Sequence, residues 1–222
     1  HPLATDAGHA VLAAGGNAFD AAVAVSATLA VVEPYSSGLG GGGFWLLHRA
    51  ADGRAVMVDG RERAPLAATR TLYQDEAGAV ITGRSVNGPL AAGIPGEPAA
   101  LVHIAERYGN LPLAESLAPA IRAAREGFAV TPHYRRMARF RLEVLRGSPA
   151  AAETFLLDGA VPPAGHVIRQ PALARTLEAL ARRGHDGFYA GPVAEALVAG
   201  VRAAGGIWSA EDLQSYAVVE RE

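Results

Sequence analysis

The chain has 222 residues, 50% of them hydrophobic and 19% charged, with a formal net charge of −2; this supports a substantial core in one domain, or two at most. The weak negative charge argues against nucleic acid as a natural partner, because phosphate binding needs a basic surface. There is no cysteine, and all twenty basic residues are arginine, which excludes disulfide scaffolds, Cys–zinc sites, thiol nucleophiles, Schiff-base lysines and lysine-dependent phosphate loops.

In chain order, Ala4 to Ala14 reads as a short helix capped by Thr5 or Asp6 and stopped by Gly15. Asn17 caps a second helix, Ala18 to Glu33, with Asp20 in the capping-box place and Pro34 ending it. That helix holds the most apolar stretch, 21–32, too short for the about 20 residues of a membrane span. After Gly40, Gly41, Gly42 and Gly43, the run Phe44 to Arg49 suits a strand. Asp52-Gly53 is a hairpin turn, and Arg54 to Asp59 is the returning strand. Residues 69 to 96 are turn-rich and close on Gly93-Ile94-Pro95-Gly96. Helices follow at 98–108, 113–126 (divided at Pro119), 131–146 behind a Thr131-Pro132 start, 171–183, 192–204 and 209–215, the last with Ser209 and Asp212 as a capping-box variant. The pattern is α+β, a hairpin followed by helices, with no linker, so residues 1–222 are expected to be a single domain.

Three features invite a chemical reading. Four successive glycines are entropically costly unless the backbone needs positive φ or close approach; Gly40–Gly43 is therefore either a loop packed against a substrate or strand, or a flexible turn. It precedes a strand, so it is not a dinucleotide loop. Arg61-Glu62-Arg63 follows directly on the second strand. A guanidinium there can hold a carboxylate in a two-point fork; a solvated loop is the plainer alternative. Arg135, Arg136, Arg139 and Arg141 lie on one predicted helix and read as a solvated basic face rather than an anion site. The seven histidines have no metal-ligand spacing; His9, His103 and His133 are expected on helix surfaces or snorkelling toward them. No G-x-S-x-G elbow is present, and no cofactor is expected.

Several segments together resemble the γ-glutamyltranspeptidase family. These are Gly15-Gly16-Asn17-Ala18-Phe19-Asp20-Ala21-Ala22, Leu39 to Phe44, Asp59-Gly60-Arg61-Glu62-Arg63-Ala64-Pro65, Gly93 to Gly96, Tyr108 to Leu113, Ala123 to Phe128, Phe188 to Gly191 and Gly205 to Tyr216. Eight motifs in order, from about residue 14 to residue 216, make a specific match.

The resemblance implies part of an N-terminal nucleophile hydrolase, a layered αββα sandwich made as a self-cleaving precursor or zymogen. This chain is similar to the N-terminal part of the large subunit. The nucleophilic threonine would open the small subunit, so no catalytic residue is assigned here and the isolated chain is expected to be inactive. Arg61 matches the arginine that binds the α-carboxylate of a glutathione-like γ-glutamyl molecule, with Gly40, Gly41, Gly42, Gly43 and Glu62 as its supporting loop. The partners implied are that substrate and the small subunit, with no nucleic acid and no membrane span; because strands 44–49 and 54–59 leave open edges, the isolated chain is expected either to form a homodimer or to need its complement. A periplasmic or secreted location is implied, with the cytoplasm as alternative, since His1-Pro2-Leu3 carries no recognisable export signal. Two related readings stay open, a cephalosporin-type acylase and a poly-γ-glutamate-cleaving enzyme; Arg61 favours a glutamyl substrate. From a different class comes a non-catalytic carboxylate-binding fragment.

Overall fold

The computed structural model describes residues 1–222. In chain order the elements are α1 (Pro2–Ala13), α2 (Ala18–Val32), β1 (Gly43–Arg49), β2 (Arg54–Gly60), α3 (Glu97–Tyr108), α4 (Leu113–Glu126), β3 (Phe128–Ala129) and α5 (Pro132–Phe140). There follow α6 (Leu142–Arg146), α7 (Pro149–Phe155), β4 (Val167–Ile168), α8 (Pro171–Arg183), α9 (Asp186–Tyr189), α10 (Gly191–Ala203), α11 (Ala210–Gln214) and β5 (Val219–Arg221). The residues divide into two compact units, one of 1–38 and 104–181, the other of 39–103 and 182–222. One division falls in the loop between α2 and β1, and the other two fall inside α3 and α8. No helix is long and apolar enough to cross a membrane.

In the first unit α2 packs on α1 and α4. The stripes that meet are built from small residues at helical spacing: Ala4, Ala7 and Val11 on α1, Val23, Ala24, Ala27 and Val31 on α2, and Leu117, Ala120 and Ala124 on α4. A β-carbon on Gly8 would lie 2.8 Å from Val25 Cγ2, so α1 and α2 need that glycine to approach. The start of α2 is the expected capping box. Asn17 Oδ1 accepts from Phe19 and Asp20 N–H, and Asp20 Oδ2 accepts from Asn17 N–H at 2.9 Å. Asp20 does more than cap: fully buried, it also accepts from the N–H groups of Asn110 (2.8 Å) and Leu111 (3.3 Å) and so pins the turn before α4.

Three expectations for this unit are corrected. The cap of α1 is His1, whose Nδ1 accepts from Leu3 N–H at 3.3 Å, rather than Thr5 or Asp6, because Pro2 already occupies the first turn. Pro119 does not divide α4; the helix runs through it, and burial of the flanking Leu117 and Ala120 offsets the missing backbone bond. The basic helix ends at Phe140, not Arg146, with Arg141 as the joint before α6. Tyr134 of α5 is buried and donates to the Phe155 carbonyl at 2.8 Å.

In the second unit β1, β2 and β5 form an antiparallel sheet in that order. Trp45 pairs with Val58 and Leu47 with Val56, placing these four on one face; Leu47, Val56 and Val58 are buried there. The opposite face leaves Phe44, Leu46 and Val219 exposed. Glu220 of β5 draws in two partners, the Arg54 guanidinium at 3.3 Å and the His103 ring at 2.8 Å. His103 is thus a half-buried partner of a carboxylate, not the surface residue expected.

Behind the sheet Tyr189 is fully buried. Its hydroxyl donates to the Pro95 carbonyl at 2.8 Å and accepts from Ala99 N–H at 3.2 Å. Its ring stacks between His185 (4.3 Å, 15°) and Tyr216 (5.5 Å, 10°). Burial, the main cause in each case, raises the phenol pKa of Tyr189 and pushes those of Tyr134 and Tyr216 up to about 12.

Two expectations follow. Asp20→Ala removes the acceptor of three buried or half-buried backbone N–H groups and should destabilise by about 2–4 kcal/mol, read as a lower urea midpoint; a loss below about 0.5 kcal/mol would contradict the role given to Asp20. A folded-state pKa above the ordinary tyrosine value means that stability is unaffected below that value and falls as pH rises from about 10 toward 12. Of the six tyrosines, Tyr134, Tyr189 and Tyr216 should therefore ionise only as the chain unfolds, so that their phenolate absorbance rises together with loss of circular dichroism.

Candidate functional site

The candidate site lies within the second unit, where β2 runs out into Arg61-Glu62-Arg63. The glycine run before β1 turns out to be a packed loop. None of its four residues has positive φ; what matters is close approach, and chiefly at one residue. A β-carbon on Gly42 would overlap the Gly60 carbonyl oxygen and lie 3.0 Å from Glu62 N and 3.1 Å from Glu62 Oε2. Gly40 has open space around it. Gly41 contributes its carbonyl, which accepts from the N–H groups of Gly96 (2.8 Å) and Glu97 (3.0 Å) at the start of α3; two donors that a helix start leaves unpaired are satisfied there. Gly96 in turn admits no side chain, since a β-carbon would collide with the Gly60 carbonyl and the Tyr216 hydroxyl.

Arg61 sits on this scaffold with its main chain fixed and its side chain free. Its N–H donates to Asp59 Oδ1 at 3.1 Å, and its carbonyl accepts from the Tyr216 hydroxyl at 2.7 Å. Two residues on, Arg63 and Ile94 exchange both backbone hydrogen bonds, at 3.2 and 2.7 Å. The Arg61 side chain is 67% exposed; Nε lies 3.2 Å from Glu62 Oε2, and the two terminal nitrogens have no hydrogen bond or ion pair. Glu62 Oε2 is itself buried and receives no hydrogen bond of good geometry; its contact with Nε is an ion pair that leaves the outer fork open. Arg63 is committed elsewhere, donating to the Ala217 carbonyl at 2.7 Å with its guanidinium 5.0 Å from the Tyr216 ring centre. Asp59 pairs with Arg221 at 2.7 Å, and that bond, with the Arg61 N–H, holds its carboxyl below the ordinary range.

The structure thus brings Arg61, Glu62 and Gly42 together, uses Gly41 as a helix cap, and gives Gly40 and Gly43 no direct role at Arg61. Sequence reasoning missed the residues that hold this loop from behind: Tyr216, Asp212 and Trp208. Asp212 Oδ1 accepts from Leu66 N–H at 2.6 Å, and Trp208 Nε1 donates to the Ala92 carbonyl at 3.1 Å. The one signal for them was the Ser209–Asp212 capping box, which forms as expected.

The arginine helix brings no anion site together. Arg136 donates to its own neighbour His133 at 2.5 Å. A cleft of about 360 Å³ beside it is lined mainly by apolar groups, among them Tyr35, Met137, Phe140 and Phe155.

The model of the gamma-glutamyltranspeptidase family matches residues 4–222. A glutathione hydrolase proenzyme of Pseudomonas sp. strain A14 is 40% identical over 215 residues, which are 96% of this chain and 37% of the relative. The crystal structure of Helicobacter pylori gamma-glutamyltranspeptidase superposes on all of this chain and on 64% of its own, with TM-score 0.97 and 38% identity. A cephalosporin acylase from Bacillus halodurans superposes on 99% of this chain and 41% of its own, with TM-score 0.88 and 34% identity. The chain spans about a third of the length of the curated relatives it matches. Its helix-rich α+β architecture is part of an N-terminal nucleophile hydrolase fold, and the chain belongs to the gamma-glutamyltranspeptidase family, a family of enzymes.

Proposed function

We propose that this chain is the N-terminal part of the large subunit of a γ-glutamyltransferase or glutathione hydrolase that binds the α-carboxylate of a γ-glutamyl substrate through Arg61. The observation that carries the reading is a guanidinium whose main chain is tied down while its outer fork stays open. A planar fork of this kind matches a carboxylate with two parallel hydrogen bonds. In this reading Glu62 and the Gly40–Gly43 loop are support: the Glu62 carboxylate holds Nε, which turns the terminal nitrogens outward, and the absence of a side chain at Gly42 lets Glu62 fold in.

The chemistry itself would belong to an N-terminal threonine elsewhere in the precursor. Its hydroxyl would add to the γ-carbonyl, its own amine taking the proton, and the amine of the substrate would leave. Water or an amino acid would then release the acyl group. A carboxylate held far from the scissile bond serves such a step by fixing the γ-carbonyl relative to the nucleophile.

A second reading, a cephalosporin-type acylase, is favoured by the similarity to the Bacillus halodurans enzyme. A glutaryl group carries the same terminal carboxylate as a γ-glutamyl group and lacks only the α-ammonium. Arg61 would serve both, so comparing glutathione with a glutaryl β-lactam on the full-length protein separates them by their response to that ammonium. The exposed face bearing Phe44, Leu46 and Val219 suits the second sheet of the layered fold, supplied by the small subunit.

In the full-length protein, Arg61→Ala should raise KM for a γ-glutamyl anilide by about 30- to 1000-fold, the loss of a charge-assisted bidentate contact, with Arg61→Lys recovering only part. An unchanged KM would remove Arg61 from the site. The 222-residue chain alone should release no aniline from the same substrate; turnover would place a nucleophile within it.

A further inference from the structure

We infer that Tyr216 is a positioning residue for Arg61, setting the direction of the guanidinium through the carbonyl of that residue; this rests on the reading of Arg61 given above. The Arg61 side chain is too exposed to be aimed by packing, so its direction depends on its own peptide units and on Glu62. Of the two main-chain bonds, the one on the N–H comes from Asp59, two residues away on the same strand. The one on the carbonyl comes from 155 residues away, and it ties the loop to a separate element.

Tyr216 is built to do this. It is 3% exposed, and its ring is sandwiched between the Tyr189 ring and the Arg63 guanidinium. His185 Nε2 lies 2.9 Å from the Tyr216 carbonyl and its own ring stacks on Tyr189. With ring and main chain both held, the hydroxyl donates to the Arg61 carbonyl at 2.7 Å. Burial keeps the phenol neutral, and hence a donor, throughout the range in which enzymes work. The neighbouring contacts act on the same loop: Asp212 takes Leu66 N–H and the Ala217 carbonyl takes Arg63. Residues 212–217 therefore hold residues 61–66 at three points, and only the Tyr216 bond falls on the residue whose side chain is open.

The test uses the full-length protein and Tyr216→Phe, which keeps the ring and its stacking and removes only the hydroxyl. KM for a γ-glutamyl anilide should rise about 3- to 10-fold, the worth of one hydrogen bond, with kcat changed less than about twofold. The same variant should leave kcat/KM unchanged for a 4-aminobutyryl anilide, which lacks the α-carboxylate, and that substrate also reports whether the variant folds. In an Arg61→Ala background the substitution should have no further effect on KM. Equal losses on both substrates, or a KM unmoved by Tyr216→Phe where Arg61→Ala raises it, would overturn the role of Tyr216 alone. If Arg61→Ala also leaves KM unchanged, the reading of Arg61 falls and the inference with it.

Discussion

The loop that carries Arg61 exists because three stretches of main chain approach more closely than side chains would permit. Gly42, Gly60 and Gly96 come from the segment before β1, the end of β2 and the start of α3. At Gly42 and Gly96 even one methyl group would strike the carbonyl of Gly60. The approach lets the Gly41 carbonyl cap α3 and leaves room for the Glu62 carboxylate. Gly60 is packed under the Trp45 ring and Ala100, at 2.9 and 2.7 Å from a built β-carbon, so the far side of the junction is filled as well. These glycines serve by absence of volume rather than by conformational freedom.

From that junction follows a division of labour between fixed backbone and free side chain. An exposed guanidinium keeps its hydration but also its rotamer freedom, whereas a buried one gives up both. Burying the Arg61 side chain would fix it at a high cost in desolvation. The chain instead fixes its peptide units and one nitrogen, and leaves the fork in water. Arg63, two residues on, is used oppositely: its guanidinium lies against an aromatic ring and a carbonyl, and serves the scaffold.

What could be read from the sequence was whatever depends on near neighbours. The capping boxes at Asn17–Asp20 and Ser209–Asp212 formed as their spacing requires, and so did the hairpin about Asp52-Gly53. Failures came where distant contacts override local preference. Pro119 stays inside α4 because Leu117 and Ala120 are buried on either side of it. Asp20 looked like a cap and no more, since its other ligands at Asn110 and Leu111 are about ninety residues away. His103 looked solvated because Glu220 lies at the other end of the sequence.

For the loop of the candidate site, the sequence by itself determined that Arg61 and Glu62 follow directly on the end of a strand, because the hairpin pattern is written in consecutive residues. It determined too, by lacking lysine and cysteine, which chemistries this chain cannot host. Only the tertiary structure decided which glycine is indispensable, which of Arg61 and Arg63 keeps an open fork, and that Tyr216 stands behind the loop. Those outcomes are set by contacts between residues far apart in the chain, whose distances no local pattern encodes.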